Sequence, residues 1–113
     1  MSNKAYVYLI CNPATDQYKI GVTKNDIDKR LKQLQVGNGC CLHLVGSHES
    51  EHPYYIEKML HRELMQFRTS GEWFDFHENG TNILEIFRKL CCKYENVIIN
   101  MKDNPFFNKM ANI

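Results

Sequence analysis

The sequence lacks several features that mark common protein classes. It has no run of about 20 apolar residues that could span a bilayer, and the apolar stretch in its start, MSNKAYVYLICN, is too short for a signal peptide. Its net charge is only +1, so no global electrostatic field marks a nucleic-acid binder, and any anion site must be local. These absences predict a soluble protein of the cytoplasm or nucleus with no membrane partner.

Metal-binding cysteine motifs are also missing. The five cysteines contain no CxxC spacing, and four of them form the adjacent pairs 40–41 and 91–92. The absence of CxxC argues against a zinc site. Because neighbouring cysteines do not easily bond each other and five is an odd number, the sequence predicts free thiols in a reducing compartment.

A chain of 113 residues with 43% hydrophobic residues is long enough for one domain with its own core. We expect this domain to span residues 1–100, with a core at 5–76 and a C-terminal helix at 79–94. Residues 101–113 form a tail that either docks on the body or frays.

The first third of the chain predicts a hairpin followed by a helix. Residues 5–10 and 18–23 are rich in aromatic and β-branched residues, and the intervening CNPATDQ favours a turn. Two strands so connected form an antiparallel hairpin. Asn25 then begins a helix, with Asp28 three residues later as in a capping box.

The remaining chain alternates strand and helix patterns. These predict a strand at 41–48, a helix that starts at 50–53 and ends at 68–71, a short aromatic strand or extended segment at 72–76, a helix capped by Asn79 or Thr81, and a last short strand at 94–100. This order predicts an α+β domain with a small, mostly antiparallel three-stranded sheet flanked by helices.

Four short motifs occur in a fixed order: YVY at 6–8, YKIG at 18–21, EKMLH at 57–61 and GEWF at 71–74. Together they resemble the GIY-YIG nuclease superfamily, most closely its branch of phage-type DNA-binding domains and meiotically up-regulated gene domains. Members of that branch carry a KIG-type sequence, an E-x-x-x-H helix and a closing G-E-W-F. The resemblance implies a metal-dependent endonuclease that hydrolyses DNA.

In that superfamily two hairpin tyrosines and a helix arginine meet at one phosphate. The resemblance assigns these positions to Tyr8, Lys19 and Arg30, so an amine stands where a phenol is usual. Arg30 would offer a planar fork to two phosphate oxygens, and Tyr8 would align or deprotonate the attacking water. Lys19 either shares that task with a pKa lowered by burial or is only a cationic phosphate contact. Gly21 would let the backbone turn and approach the ligand.

The acidic motifs imply a metal site. Glu57 would bind Mg²⁺ (or Mn²⁺), which would polarise the phosphate and stabilise the leaving group. Glu72, where an asparagine is common in the wider superfamily, would be a second metal ligand or a base. His61 lies one helical turn beyond Glu57 and either bonds a metal water, donates to the phosphate or is structural. Trp73 is expected to anchor the core.

Basic side chains on the two helices predict a rim around the site that neutralises phosphates of DNA and makes binding sensitive to salt. The residues assigned to it are Tyr18, Lys24, Lys29, Lys32, Lys58, Arg62 and Arg68. The alternative is an ordinary solvated helix face, because acidic residues lie between the basic ones.

No helix-turn-helix, zinc finger or aromatic RNA-binding motif is present. The sequence leaves open DNA versus RNA, branched or otherwise structured DNA as the substrate, and the oligomeric state.

Other functions and structural roles fit the same residues. Lys19 favours a DNA-binding module that keeps the phosphate grip without chemistry. Phe106 and Phe107 favour a protein-interaction domain whose tail docks a partner. Tyr8 could instead be an ordinary sheet tyrosine, and Arg30 could pair with Asp26 one turn away.

Overall fold

A computed structural model describes residues 5–36, 41–76 and 82–102. The predicted helix caps Asn79 and Thr81, and the tail with Phe106 and Phe107, lie outside the described residues. The domain boundary at residue 100 stays a prediction, and so does the location in the cytoplasm or nucleus. No helix within the described ranges has the length and apolarity needed to cross a membrane.

Five strands and three α-helices make up the described chain. In order they are β1 (Ala5–Asn12), β2 (Gln17–Thr23), α1 (Ile27–Val36), β3 (His43–Ser50), α2 (Pro53–Glu63), a 3-10 turn (Met65–Phe67), β4 (Arg68–Ser70), β5 (Trp73–Phe74) and α3 (Ile83–Lys102). The predicted α+β class is confirmed.

The sheet has the strand order β3-β1-β2-β5-β4, and every pairing is antiparallel. The predicted hairpin of β1 and β2 is confirmed. The prediction of only three strands is wrong, because β4 and β5 add two more. These strands have three and two residues, too few for an alternating pattern to be visible in the sequence.

Two helix boundaries also differ from the predictions. Helix α2 ends at Glu63, so residues 68–71 do not end it but contain β4. Helix α1 begins at Ile27, and its first turn is capped by Asp26, whose Oδ1 accepts the backbone N–H of Asp28 at 2.8 Å. Asn25 was the wrong cap by one residue, which is within the usual uncertainty of helix ends.

The predicted last strand at 94–100 is wrong, because α3 continues through these residues to Lys102. The run Val97, Ile98, Ile99 is β-branched and favours a strand in isolation. Tyr94 and Ile98 are buried one helical turn apart, so a helix places both in the core. Tertiary packing here overrides local propensity.

Two apolar layers lie on opposite faces of the sheet. Alternate residues of a strand point to opposite faces, so Val7 and Leu9 join the main core under α2 and α3. Tyr8 and Ile10 point the other way and form a smaller cluster with Leu42 against α1. The sheet is therefore covered by α1 on one side and by the helix pair on the other, and the site lies where β2 reaches the edge between them.

Candidate active site

The site is built on the free edge of β2. Strand β5 pairs only with Tyr18 and Lys19 of β2, and the Ile20 N–H donates to the Glu72 carbonyl at 3.2 Å. Next to this contact, helix α2 hydrogen-bonds the same strand, because Nε2 of His61 donates to the Ile20 carbonyl at 2.9 Å. Glu57 lies one helical turn before His61 and so is brought to the same edge.

Two carboxyl groups and one ammonium meet here. Lys19 Nζ lies 2.9 Å from Oε1 of Glu72, and the Glu57 carboxyl is hydrogen-bonded to Glu72. Two carboxyls can share a hydrogen bond only if one of them keeps a proton. The three side chains therefore carry one retained proton, one negative charge and one positive charge.

Burial and the neighbouring carboxylate identify Glu57 as the protonated partner. Burial raises the pKa of Glu57 to about 7, with further contributions from the hydrogen bond and charge of Glu72. Burial also opposes ionisation of Glu72, but the pKa of Glu72 is lowered because the hydrogen bond and charge of Lys19 outweigh that effect, helped by Glu57 and His61. Two carboxyls side by side are thus driven to opposite protonation states.

His61 completes a set of metal-binding atoms. One ligand atom from each of Glu57, His61 and Glu72 lies within 4.8 Å of the others, the one such group among the described residues. Because a carbonyl only accepts, Nε2 of His61 must carry a proton, and Nδ1 is the nitrogen left with a lone pair. Metal-binding histidines usually donate their other N–H to such a carbonyl or carboxylate. The two carboxylates suit Mg²⁺ or Mn²⁺, whereas an imidazole is a ligand more typical of transition metals such as Zn²⁺.

Tyr8 and Gly21 are paired directly across β1 and β2. The Tyr8 ring lies over Gly21, so that a Cβ at Gly21 would be 2.6 Å from Tyr8 Cζ. Gly21 is thus needed for the Tyr8 ring, a reason different from the predicted turn. The same register pairs Ile10 with Lys19, so Tyr8 and Lys19 point to the same face of the sheet.

Arg30 lies on the inward stripe of α1. Helical spacing puts it beside Ile27, Leu31 and Leu34, which pack on the cluster that contains Tyr8. Its Nε is buried and has no hydrogen-bond partner among the described residues. The pairing with Asp26 considered from the sequence is limited to the backbone, where the Arg30 N–H donates to the Asp26 carbonyl at 3.0 Å. A buried guanidinium nitrogen without a partner needs an explanation, and a bound water or anion would supply one.

The predicted basic contacts are divided between two helices and an edge strand. Lys29 and Lys32 are exposed on α1, Lys58 and Arg62 on α2, and Arg68 on β4. Lys24 is exposed just before α1, with its Nζ 5.9 Å from the centre of the Tyr54 ring. All of these side chains are exposed to solvent, as contacts with a DNA backbone would require.

Tyr18 is separated from the other predicted contacts. It packs on the main core, with its ring 5.6 Å from that of Phe76, and bonds Cys11 by its hydroxyl. Burial is the first cause that raises the pKa of Tyr18. Its place on the opposite face from Lys19 argues for a structural role.

The sequence did not predict the pairing of Lys19 with Glu72 or the contact of Lys19 with Trp73. Lys19 Nζ lies 5.5 Å from the centre of the Trp73 ring, and Trp73 packs on the smaller cluster as expected of an anchor. Lys19 and Trp73 are register partners across β2 and β5. The sequence predicts a short strand or extended segment here but not its pairing with β2, so no local signal could have found this contact.

A cavity of about 540 Å³ opens near the start of α1, lined by Tyr6, Lys24, Asn25, Asp26, Ile27, Asp28 and Glu49. It shares no lining residue with the group of Glu57, His61 and Glu72. The carboxylates in its lining outnumber the one lysine, so this cavity does not suit a phosphate. Glu57, His61 and Glu72 are instead half-buried side chains at the edge of the sheet.

Comparison with known proteins gives one result that bears on this site. No significant match to the chain was found among curated proteins or among solved structures. The family model described as the T5orf172 domain matches residues 5–91, which include β1, β2, α1, α2 and the whole candidate site. The chain therefore belongs to the T5orf172 domain family, a family linked to nuclease-type domains.

Proposed function

We propose that this protein is a metal-dependent endonuclease of the GIY-YIG type that hydrolyses phosphodiester bonds in DNA. The observation that carries the proposal is the approach of Glu57, His61 and Glu72 to within 4.8 Å of one another beside the cation of Lys19. Membership of a family linked to nuclease-type domains supports it.

Glu57, Glu72 and Nδ1 of His61 are the groups that would hold Mg²⁺ or Mn²⁺. Such an ion supplies Lewis acidity toward a phosphoryl oxygen and stabilises charge on the leaving oxygen. The Ile20 carbonyl fixes the ring orientation of His61, so the protein contributes an ordered imidazole rather than a mobile one.

Arg30 would bind the scissile phosphate. Its buried Nε has no partner among the described residues, and a phosphate oxygen would satisfy it while the guanidinium fork neutralises charge. Tyr8 is 1% exposed, so its hydroxyl would orient the attacking water only if that water reaches the sheet face that Tyr8 shares with Lys19. Preorganised donors of this kind stabilise the transition state without reorganisation.

Exposed lysines and arginines would bind the flanking DNA backbone. Lys29 and Lys32 on α1 and Lys58 and Arg62 on α2 are the main contacts in this proposal. Neutralising a few phosphates in this way gives a binding constant that falls linearly with salt on a log–log scale. No element of the described chain has the form of a base-reading module, so branched or otherwise structured DNA is the substrate we propose.

The test is nicking of supercoiled plasmid and of a branched DNA duplex in Mg²⁺ and in Mn²⁺. We expect the wild type to cleave and Glu57→Gln to lose at least about 10³-fold in rate, because a neutral amide of the same shape is a poor metal ligand. Glu51→Gln is the matched control, since Glu51 is exposed and lies before α2. A wild-type protein that cleaves no substrate with either metal would contradict the proposal.

A DNA-binding module without chemistry is the second candidate. The observation that favours it is that Lys19, at the position of the superfamily's second tyrosine, is already bound to Glu72 and lies over Trp73. In this case Glu57→Gln leaves DNA affinity unchanged, whereas Arg30→Ala weakens it. Measuring binding and cleavage on the same substrate separates the two candidates.

A further inference from the structure

Lys19 occupies the place of a cation within the proposed metal site. Its Nζ lies 2.9 Å from Oε1 of Glu72, one of the three groups that supply metal-binding atoms. We propose that Lys19 competes with the divalent ion for Glu72. Metal binding then releases Lys19, and its ammonium can contact the phosphate. This inference rests on the proposed function, because it concerns regulation of the same site.

The burial of the pair makes the competition strong. Only 12% of the Lys19 side chain is exposed, against 40% for Glu72, so solvent screens the ammonium poorly from its surroundings. A dication bound to Glu72 would be repelled by an ammonium that stayed in place. Exchanging one cation for the other at Glu72 removes that repulsion.

The exchange is reciprocal. If Lys19 weakens metal binding by some factor, the metal must weaken the Lys19–Glu72 contact by the same factor. Without metal, the ammonium neutralises Glu72 and keeps the half-buried site near charge balance. With metal, Lys19 is left without its carboxylate partner, on the same sheet face as Tyr8.

Trp73 is a natural reporter of this exchange. It is the single tryptophan of the chain, and Lys19 Nζ lies 5.5 Å from the centre of its ring. A cation over an indole face interacts with the ring electrons, so displacement of Lys19 changes the environment of the indole. Its emission reads the position of Lys19 without any DNA or cleavage.

The experiment titrates purified protein with Mg²⁺, following heat by calorimetry and Trp73 emission in parallel, for the wild type, Lys19→Met and Lys89→Met. Lys19→Met removes the charge but keeps an apolar stem beside Trp73. We expect it to bind Mg²⁺ about tenfold more tightly than the wild type, from the lost repulsion between a charge and a nearby dication. Lys89→Met should resemble the wild type, because Lys89 is an exposed lysine of α3 that pairs with Glu85.

The emission of Trp73 gives a second test on the same samples. Wild-type emission should change with the same midpoint as the heat, and the Lys19→Met protein should show much less change on binding. Equal or weaker Mg²⁺ affinity of Lys19→Met overturns the competition, as does wild-type binding with constant emission. If neither protein binds Mg²⁺ or Mn²⁺, the proposed metal-dependent function fails together with the competition. If both proteins bind the ion with equal affinity, only the competition fails.

Discussion

Arg30 has a cost in stability that its proposed role in phosphate binding would explain. Its buried Nε lacks a partner among the described residues, and leaving a buried donor unsatisfied costs about 1–3 kcal/mol. The stripe around it on α1 is apolar, so the residue that would suit folding best at this position is a hydrophobic one.

We therefore predict that Arg30→Met raises the free energy of unfolding by about 1 kcal/mol and lowers the cleavage rate at least about 100-fold, because a transition-state donor is lost. Urea unfolding and plasmid nicking on the same preparations measure both effects. Gln33→Met is the control, since Gln33 is exposed on the same helix, has no role in the proposed site and should change neither strongly. A destabilised Arg30→Met protein would contradict the account of an unpaired nitrogen.

Glu57 gives the protein a specific dependence of stability on pH. Burial, the hydrogen bond to Glu72 and the charge of Glu72 raise the pKa of Glu57 from 4.5 to about 7. A carboxyl with a raised pKa contributes stability that is complete below pH 4.5, the unfolded value, and that is lost as pH rises through about 7. Glu72 acts in the opposite sense, because its pKa is lowered.

In chelator, the melting temperature of the wild type should fall relative to that of Glu57→Gln as pH rises from 4.5 to about 7. Above that pH the difference between the two melting temperatures should stay constant. The amide keeps the hydrogen bond to Glu72 but has no proton to lose. Because the side chain is half-exposed, we expect a relative loss of only about 1 kcal/mol. Parallel melting temperatures across the whole pH range would show that Glu57 titrates normally.

At the scale of the elements, the pairing of β1 with β2 depends on one missing side chain. Tyr8 is 1% exposed and its ring covers Gly21. A Cβ placed 2.6 Å from a ring carbon in a sheet centre can be relieved only by moving a strand or the ring.

Gly21→Ala should destabilise the protein by about 2 kcal/mol or more, as expected for overpacking of a buried site. Gly46→Ala is the control: there the new Cβ meets the flexible end of Leu84, which can rotate away. The cost of Gly21→Ala should shrink in a Tyr8→Val background, a coupling that a double-mutant cycle measures by urea unfolding. Equal costs in both backgrounds would show that Tyr8 is not the obstacle.

At the scale of the whole molecule, the two faces of the sheet are covered unequally. The main core contains buried residues from α2 and α3 as well as from the sheet. No residue of α1 is fully buried, whereas α2 buries Pro53, Ile56 and Leu60. The helix that carries Arg30 is therefore the one held by the smaller apolar layer.

We predict that amide hydrogens of α1 exchange with solvent at least about tenfold faster than those of α2, because local opening free energy follows buried apolar contact. Exchange followed by mass spectrometry or NMR on the protein without DNA measures this. Binding of a non-cleavable DNA duplex should slow exchange in α1 more than in α3. Equal protection of α1 and α2 would show that the small layer holds its helix as firmly as the main core does.

Local pattern predicted the elements that are long enough to show a period. The alternation of β1 and β2 and the stripe of Ile27, Leu31 and Leu34 each extend over at least two repeats, so their partners on the sheet could be inferred. Strands β4 and β5 are shorter than one useful repeat. The prediction for the end of α3 is wrong because β-branched residues favour a strand locally, whereas packing on the core stabilises a helix there.

The same division applies to the site. Glu57 and His61 are one helical turn apart, so the sequence places them together. Glu72 joins them only because β5 pairs with β2 and α2 passes the same edge, and Lys19 reaches Glu72 over 53 residues of chain. Roles for all these residues came from the motifs, but their contacts did not.

The sequence by itself determined which side chains are present and which of them share a strand face or a helix face, because those relations follow from fixed backbone periods. Only the tertiary structure decided that an ammonium, two carboxyls and an imidazole meet at the edge of β2. Contacts between distant segments depend on strand register and helix packing, which are properties of the whole core and not of any short stretch.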